Sequence, residues 1–324
     1  MAGLVSLSAC RQDTDDVPSL PSKTLQMGTC MTRATDGIAM EDGTRLAFFL
    51  TEGTSAVQRF FTYNAETGLW NSNATVEDGT DYHLFGYLPA QSAASVSIAP
   101  LNGDYAYGAV LTLNGLPTMT TTDVCFVVAV KGGSDVRSES DFDEWNYLYT
   151  AQENDENSIH MLLDHLYANL NLLFKIHSPS NPMRSIKLKT VQLSTTYAAQ
   201  VEARITQPEG TQPVTAFTPT EEGNTVCTLL DDPDGITLNT VTPVAASIFI
   251  APGTTGLTLT CTYDVYNEAG HIIRRNCTTE NALSEDKTSL EQGYKTDLSL
   301  TVNPTYFYVL SDEDAPELEV EVEN

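Results

Sequence analysis

Basic residues are scarce in this 324-residue chain. Lys and Arg number 16 against 43 Asp and Glu, a formal net charge of −27. Nucleic-acid binding depends on neutralising phosphates with Lys and Arg, so this balance argues against it. It also argues against electrostatic docking on an anionic membrane. Tryptophan is rarer still, with only Trp70 and Trp145, so the aromatic platforms usual in carbohydrate-binding modules have little to be built from. Beyond the first residues, no run of about 18 apolar residues occurs, which excludes a transmembrane helix. GxSxG, P-loop, GxGxxG and HExxH motifs are missing. The reading is therefore of a protein with no catalytic residues, no cofactor and no metal.

The remaining reactive residues fit that reading. Of the 6 cysteines, Cys30, Cys125, Cys227, Cys261 and Cys277 form no CxxC pair and no metal-ligand spacing. Cys125, inside Val124-Cys125-Phe126-Val127-Val128, reads as a buried thiol. Cys261 and Cys277 flank one apparent hairpin, and the sequence leaves open whether they are bridged. His83, His160, His165, His177 and His271 read as hydrogen-bonded histidines in or beside a core. His160 and His165 are five apart, and a shared helical face needs four. Asp231-Asp232-Pro233-Asp234-Gly235 lacks the remaining ligands and closing Glu of a calcium loop and reads as an acidic turn.

What the chain does have is apolar content, 41%, enough for a core. It is laid out as short alternating or apolar runs bounded by Gly, Pro, Asn and Asp. Predicted strands are Leu46–Leu50, Arg59–Tyr63, Tyr82–Leu88, Ala94–Ile98, Ala109–Leu113, Val124–Val130 and Leu170–His177. Further along come Ser185–Gln192, Ala199–Ile205, Val226–Leu230, Ala246–Ile250, Leu257–Tyr266, Tyr294–Val302 and Tyr306–Leu310. The class is mostly β, with enough strands for two sandwiches. One or two short helices are expected, because Met161, Leu162, Leu163, Leu166 and Tyr167 in His160–Ala168 recur at helical spacing. From Leu170 the period becomes two.

Both ends stand out. Leu7-Ser8-Ala9-Cys10 follows a short apolar run and matches the lipobox of bacterial lipoprotein signals. Cys10 is then the acylated residue, and the missing basic n-region suggests that the true start lies upstream. Residues 11–22 are acidic and rich in Pro and Ser, as an extended tether would be. Leu25, Met27 and Met31 alternate along a strand-like segment that ends in Thr32-Arg33-Ala34-Thr35-Asp36-Gly37. An Arg between a strand and a turn is a natural site for an arginine-specific protease, whereas Arg45 abuts a predicted strand. Losing a strand from a finished sheet leaves an apolar groove with unpaired backbone groups. At the other end, Glu317-Leu318-Glu319-Val320-Glu321-Val322-Glu323 alternates strictly. Such a strand can complete its own sheet or be lent to a neighbour's edge. Regions are accordingly set at 1–23 (signal and tether), 24–157 (first sandwich with a removable strand) and 158–324 (second sandwich ending in a donor strand).

Taken in order along the chain, several segments resemble the fimbrillin superfamily of Bacteroidales, the lipoprotein precursors of type V pili. They are Leu7–Cys10, Leu25–Met31 with Thr32-Arg33-Ala34, residues 76–89 (VEDGTDYHLFGYLP), Tyr147–Ala151, Ile159–Leu170 and the acidic final strand. The resemblance implies two tandem Greek-key, transthyretin-like β-sandwich domains. It also implies export to the outer membrane and cell surface as a lipoprotein acylated at Cys10, with cleavage between Arg33 and Ala34. The strand carrying Leu25, Met27 and Met31 is then displaced, and Leu318, Val320 and Val322 of a neighbouring pilus subunit fill the gap. The partners so implied are other pilus subunits, an arginine-specific protease and membrane lipid. The rival expectation is a monomeric, surface-anchored lipoprotein that binds glycans or host ligands.

Overall fold

Strands make up nearly all the regular structure, as the Thr-, Val- and Tyr-rich alternation predicts. A computed structural model describes residues 22–33, 40–133, 136–151, 158–177, 183–284, 288, 290–303 and 317–322. In chain order come β1 (Ser22–Thr24), β2 (Gln26–Thr32), β3 (Arg45–Glu52), β4 (Ser55–Asn64), β5 (Leu69–Ser72) and β6 (Thr75–Glu77). There follow β7 (Asp81–Leu88), β8 (Ser95–Pro100), β9 (Gly108–Pro117), β10 (Met119–Thr120), β11 (Cys125–Gly132) and β12 (Leu148–Thr150). Next are β13 (Ser158–His165), β14 (Ala168–Ile176), β15 (Arg184–Thr195), β16 (Gln200–Pro208), β17 (Val214–Glu221) and β18 (Thr225–Thr237). The last are β19 (Val244–Ile250), β20 (Leu257–Asn267), β21 (Ile272–Ala282), β22 (Lys295–Asn303) and β23 (Glu317–Val322). The expected strand Tyr306–Leu310 lies outside the described residues.

Two packing units emerge from the sheet order. In the first, β11-β13-β2-β5-β4-β3-β7 are neighbours in that sequence. Pairing of Cys125 with Leu88 and Phe126 with Tyr87 closes this sheet on itself. Its interior is filled by Leu25, Met27, Phe48, Phe61, Trp70, Ile159 and Met161. Its outer side packs on the sheet β17-β16-β9-β8 through Phe49, Phe126, Leu162, Leu111 and Ile205. In the second unit, β10-β19-β14-β22-β23 faces β18-β15-β20-β21. Leu170, Leu172, Phe174 and Ile176 line that core against Leu188, Val191, Leu259 and Tyr263, as the period of two in β14 predicts.

The helix expected over His160–Ala168 is not formed. Residues 158–165 are strand β13, and among the described residues there is no α-helix, only 3₁₀ turns at Leu101–Gly103, Tyr105–Tyr107 and Glu139–Asp141. The cause is burial on both faces: Ile159, Met161 and Leu163 point into the closed sheet, while Leu162 faces the neighbouring layer. A doubly buried strand reads as one continuous apolar run, and its helix-like spacing carries no information about the backbone.

Several strand pairings also span position 157, where the sequence suggests a boundary, among them β10 with β19. β13 joins β11 and β2 of the first unit, and β16 joins β9. The β9–β16 contact is close at Gly108, whose φ is +108°, and a Cβ there would lie 2.1 Å from the Gln207 carbonyl oxygen. Cys30, Cys125, Cys227, Cys261 and Cys277 are all free thiols. Cys261 pairs in register with Thr279, and Cys277 with Tyr263, so the hairpin does not align them for a bridge.

Candidate functional site

The site is built around β2. The segment enters through β1, which pairs with β6 and is pinned by an ion pair of 2.8 Å between Lys23 Nζ and Asp78 Oδ1. Leu25 N donates to the Ala74 carbonyl at 2.8 Å. β2 then runs parallel to β13, from Gln26 opposite Ser158 to Thr32 opposite Leu163. On its other side it meets β5 in antiparallel register at Met27 and Trp70. Leu25 and Met27 are wholly buried. At about 1.5–3 kcal/mol for each fully buried side chain, these two anchor the segment by about 3–6 kcal/mol.

The structure corrects one member of the expected face. Met31 does not share the side of Leu25 and Met27. It packs against the outer core, with Leu162 and Phe126, while Cys30 takes the inward position. The reason is a bulge: Met27 pairs with Ile159, but Thr29 pairs with His160, so one extra residue of β2 is inserted at Gly28 and the alternation reverses. A Cβ at Gly28 would lie 2.9 Å from His160 Cε1 and 3.0 Å from Ser158 Oγ, which explains the glycine. Cys30 is an inert core thiol, its pKa pushed up to about 12 by burial.

Directly after β2, Arg33 donates its backbone N–H to the Leu163 carbonyl at 3.0 Å. Its guanidinium stacks 4.3 Å from the centroid of Trp145. Nε reaches Glu139 Oε1 at 3.1 Å and Nη2 reaches Glu144 Oε1 at 3.2 Å. Val128, Ala129, Phe142 and Leu162 complete a cleft of about 600 Å³ around it. The loop that carries the two acids is itself ordered. Asp141 Oδ2 accepts from the backbone N–H of Arg137 at 2.8 Å and of Ser138 at 2.9 Å, which holds its carboxyl below the usual range. Trp145 sits at φ +60°, a region that bulky side chains rarely occupy. Its carbonyl accepts from Gly210 N at 3.0 Å, and the next carbonyl, Asn146, accepts from Val130 N at 2.7 Å. Sequence reasoning singled out Arg33 but gave Trp145, Glu139 and Glu144 no role beside it. Arg45, set aside as protected, lies in β3 with its guanidinium 4.0 Å from the Phe60 ring. Ala34 and Cys10 lie outside the described residues.

At the far end, β23 is the outermost strand of its sheet and pairs antiparallel with β22 of the same chain. Leu318, Val320 and Val322 stand opposite Val302, Leu300 and Leu298, three residues of the second core. The monomer thus uses β23 to finish its own sheet.

The sequence matches no protein-family model and no curated protein. In structure the chain is similar to a fimbrial protein from Bacteroides vulgatus, with 13% identity, 92% of this chain and 99% of that chain covered, and a TM-score of 0.43. It is also similar to the fimbrial anchor protein Mfa2 from Porphyromonas gingivalis, with 10% identity, coverage of 92% and 98%, and a TM-score of 0.33.

Proposed function

We propose that this protein is a non-catalytic structural subunit of a cell-surface fimbria that supports adhesion and assembles by exchanging β-strands. In this reading two tandem Greek-key, transthyretin-like sandwiches form the body. The precursor is held at the outer membrane by acylated Cys10. An arginine-specific protease cuts between Arg33 and Ala34, β2 departs, and a strand from a neighbouring subunit takes its place. Leu318, Val320 and Val322 are the side chains that the donor would offer.

The observation that carries the reading is the position of β2. It is short, lies near the start of the chain, and is followed at once by the arginine. Yet it fills the gap between β13 and β5, with Met27 and the preceding Leu25 fully buried. Its removal would leave an apolar slot flanked by unpaired ladder groups; water can bond the groups but not fill the slot, and a foreign strand does both. The outermost position of β23 also favours it, since an edge strand is tied on one side only.

The test is limited digestion of the purified protein with an arginine-specific protease, followed by SDS gels without boiling. Native chain is expected to give ladders of oligomers, and Arg33→Ala an uncut monomer. A ladder from Arg33→Ala equal to the native one would remove Arg33 from the mechanism. A shortened monomer from native chain would favour the anchored ligand-binding lipoprotein instead.

A further inference from the structure

Away from β2, three metal-ligating side chains meet at the mouth of the β11–β13 ladder. Cys125 opens β11, His165 closes β13, and the two are register partners. Asp123 stands two residues before Cys125. Asp123 Oδ2 lies 2.7 Å from His165 Nδ1, and Cys125 Sγ lies 3.5 Å from the same nitrogen. One ligand atom from each residue falls within 4.8 Å of the others.

Hydrogen bonding alone leaves one oxygen of this cluster without a partner. A single ring nitrogen either gives one proton or accepts one, so Nδ1 serves the Asp123 carboxylate, and the Cys125 thiol turns to that same carboxylate. Asp123 Oδ1 is buried with no hydrogen-bond partner among the described residues. The only ion-pair partner of Asp123 there is His165. A cation in the middle of the triangle would engage all three groups at once.

We propose that Asp123, Cys125 and His165 form a binding site for one divalent cation of the zinc class. Thiolate and imidazole donors suit zinc or cobalt and disfavour calcium and magnesium, which take oxygen ligands. Charge also balances: a dication with one thiolate, one carboxylate and one neutral imidazole is neutral, which a largely buried site requires. On binding, the Cys125 S–H proton goes to solvent and the sulfur–metal bond forms, with no redox change. The histidine is held for the purpose. Its backbone N–H donates to Asp164 Oδ1 at 2.9 Å and its carbonyl accepts from Gln292 Nε2 at 3.1 Å. Cys125 is fully buried, while the side chains of Asp123 and His165 keep 12% and 11% exposure, which leaves an approach for the ion. The three protein ligands leave a fourth tetrahedral position to water. The bound ion would staple the loop before β11 to the end of β13, the strand against which β2 lies. Spacing could not reveal this site, because His165 is 40 residues from Cys125 and the fold alone brings them together.

The test uses the full chain, reduced and stripped with chelator, then loaded with Zn²⁺ or Co²⁺ in the presence of excess Mg²⁺ to occupy surface carboxylates. Expected are one equivalent of Zn²⁺ per chain, a thiolate-to-cobalt charge-transfer band, and a higher melting temperature. In Cys125→Ser and Asp123→Asn, each checked for native circular dichroism, affinity should fall by at least tenfold and the cobalt band should vanish in the first. No thiolate band in the native chain would overturn the proposal. So would equal stoichiometry and affinity in both folded variants. Should both variants unfold, X-ray absorption of the Zn²⁺ bound to the native chain decides: one sulfur in its coordination shell supports the site and none rejects it.

Discussion

Arg33 and Trp145 are stacked, the guanidinium 4.3 Å from the ring centroid, with Glu139 on its Nε and Glu144 on its Nη2. The residue that sequence marks for proteolysis is therefore docked in the folded chain. A protease that reads arginine must first withdraw it. A cation–π contact contributes about 0.5–1 kcal/mol at such sites and each partly exposed ion pair about 0.2–1 kcal/mol. Glu139→Gln with Glu144→Gln, or Trp145→Ala, should speed cleavage after Arg33 by about fivefold or more at equal fold stability. The measurement is a digestion time course with the cut mapped by mass spectrometry. Unchanged rates would mean that the docked side chain imposes no barrier.

The buried anchors of β2 give a second expectation. Met27→Ala removes a fully buried side chain from the closed sheet and should cost about 2–5 kcal/mol in chemical denaturation. Met31→Ala, on the opposite face and only partly buried, should cost less. Equal costs would contradict the reversal of alternation at Gly28.

That bulge can be probed directly. Gly28→Val places its β-carbon against His160, whose Nε2 is already engaged with the Gly133 carbonyl at 2.7 Å. The expected loss is about 1–3 kcal/mol, as for overpacked interiors. Thermal melts of the two forms check it.

Shortening the chain after Ala315 removes β23. The body should stay folded, since Leu298, Leu300 and Val302 of β22 remain part of a core shared by two sheets. Amide exchange in β22 should accelerate on its freed edge, and ladder formation after proteolysis should stop. Oligomers from the truncated chain would exclude β23 as the donor.

A pH dependence follows from His83, which is buried beside Thr51 in the closed sheet. Burial lowers its pKa from the ordinary 6.5, against a smaller opposing pull from Asp81 and Asp104. A depressed histidine favours the neutral folded form. Its contribution is complete above about 6.5 and is lost as pH falls below that value, because the unfolded chain takes the proton first. Melting temperatures at about pH 8 and about pH 5 should drop further for the native chain than for His83→Gln.

How far the sequence revealed all this depended on exposure. β14 was plain because one of its faces is buried and the other is not, so Leu170, Leu172, Phe174 and Ile176 stood out. β13 was hidden because both its faces are buried. β17 escaped notice for the opposite reason: it is an edge strand with most of its residues exposed, and Val214, at its start, is 66% exposed. Arg33 was legible from its place between a strand and a turn. Its partners were not, because Glu139, Glu144 and Trp145 approach from a distant loop, and a backbone at φ +60° leaves no trace in residue type.

The parallel pairing of Gln26 with Ser158 carries a temporal consequence. During synthesis the segment bearing Leu25 and Met27 leaves the ribosome early, but the strand it lies against does not exist until residue 158 and its successors have emerged. The first piece of the body to be made thus cannot find its place until the chain is about half made. When it leaves, each of its neighbours still keeps another partner, β11 for β13 and β4 for β5.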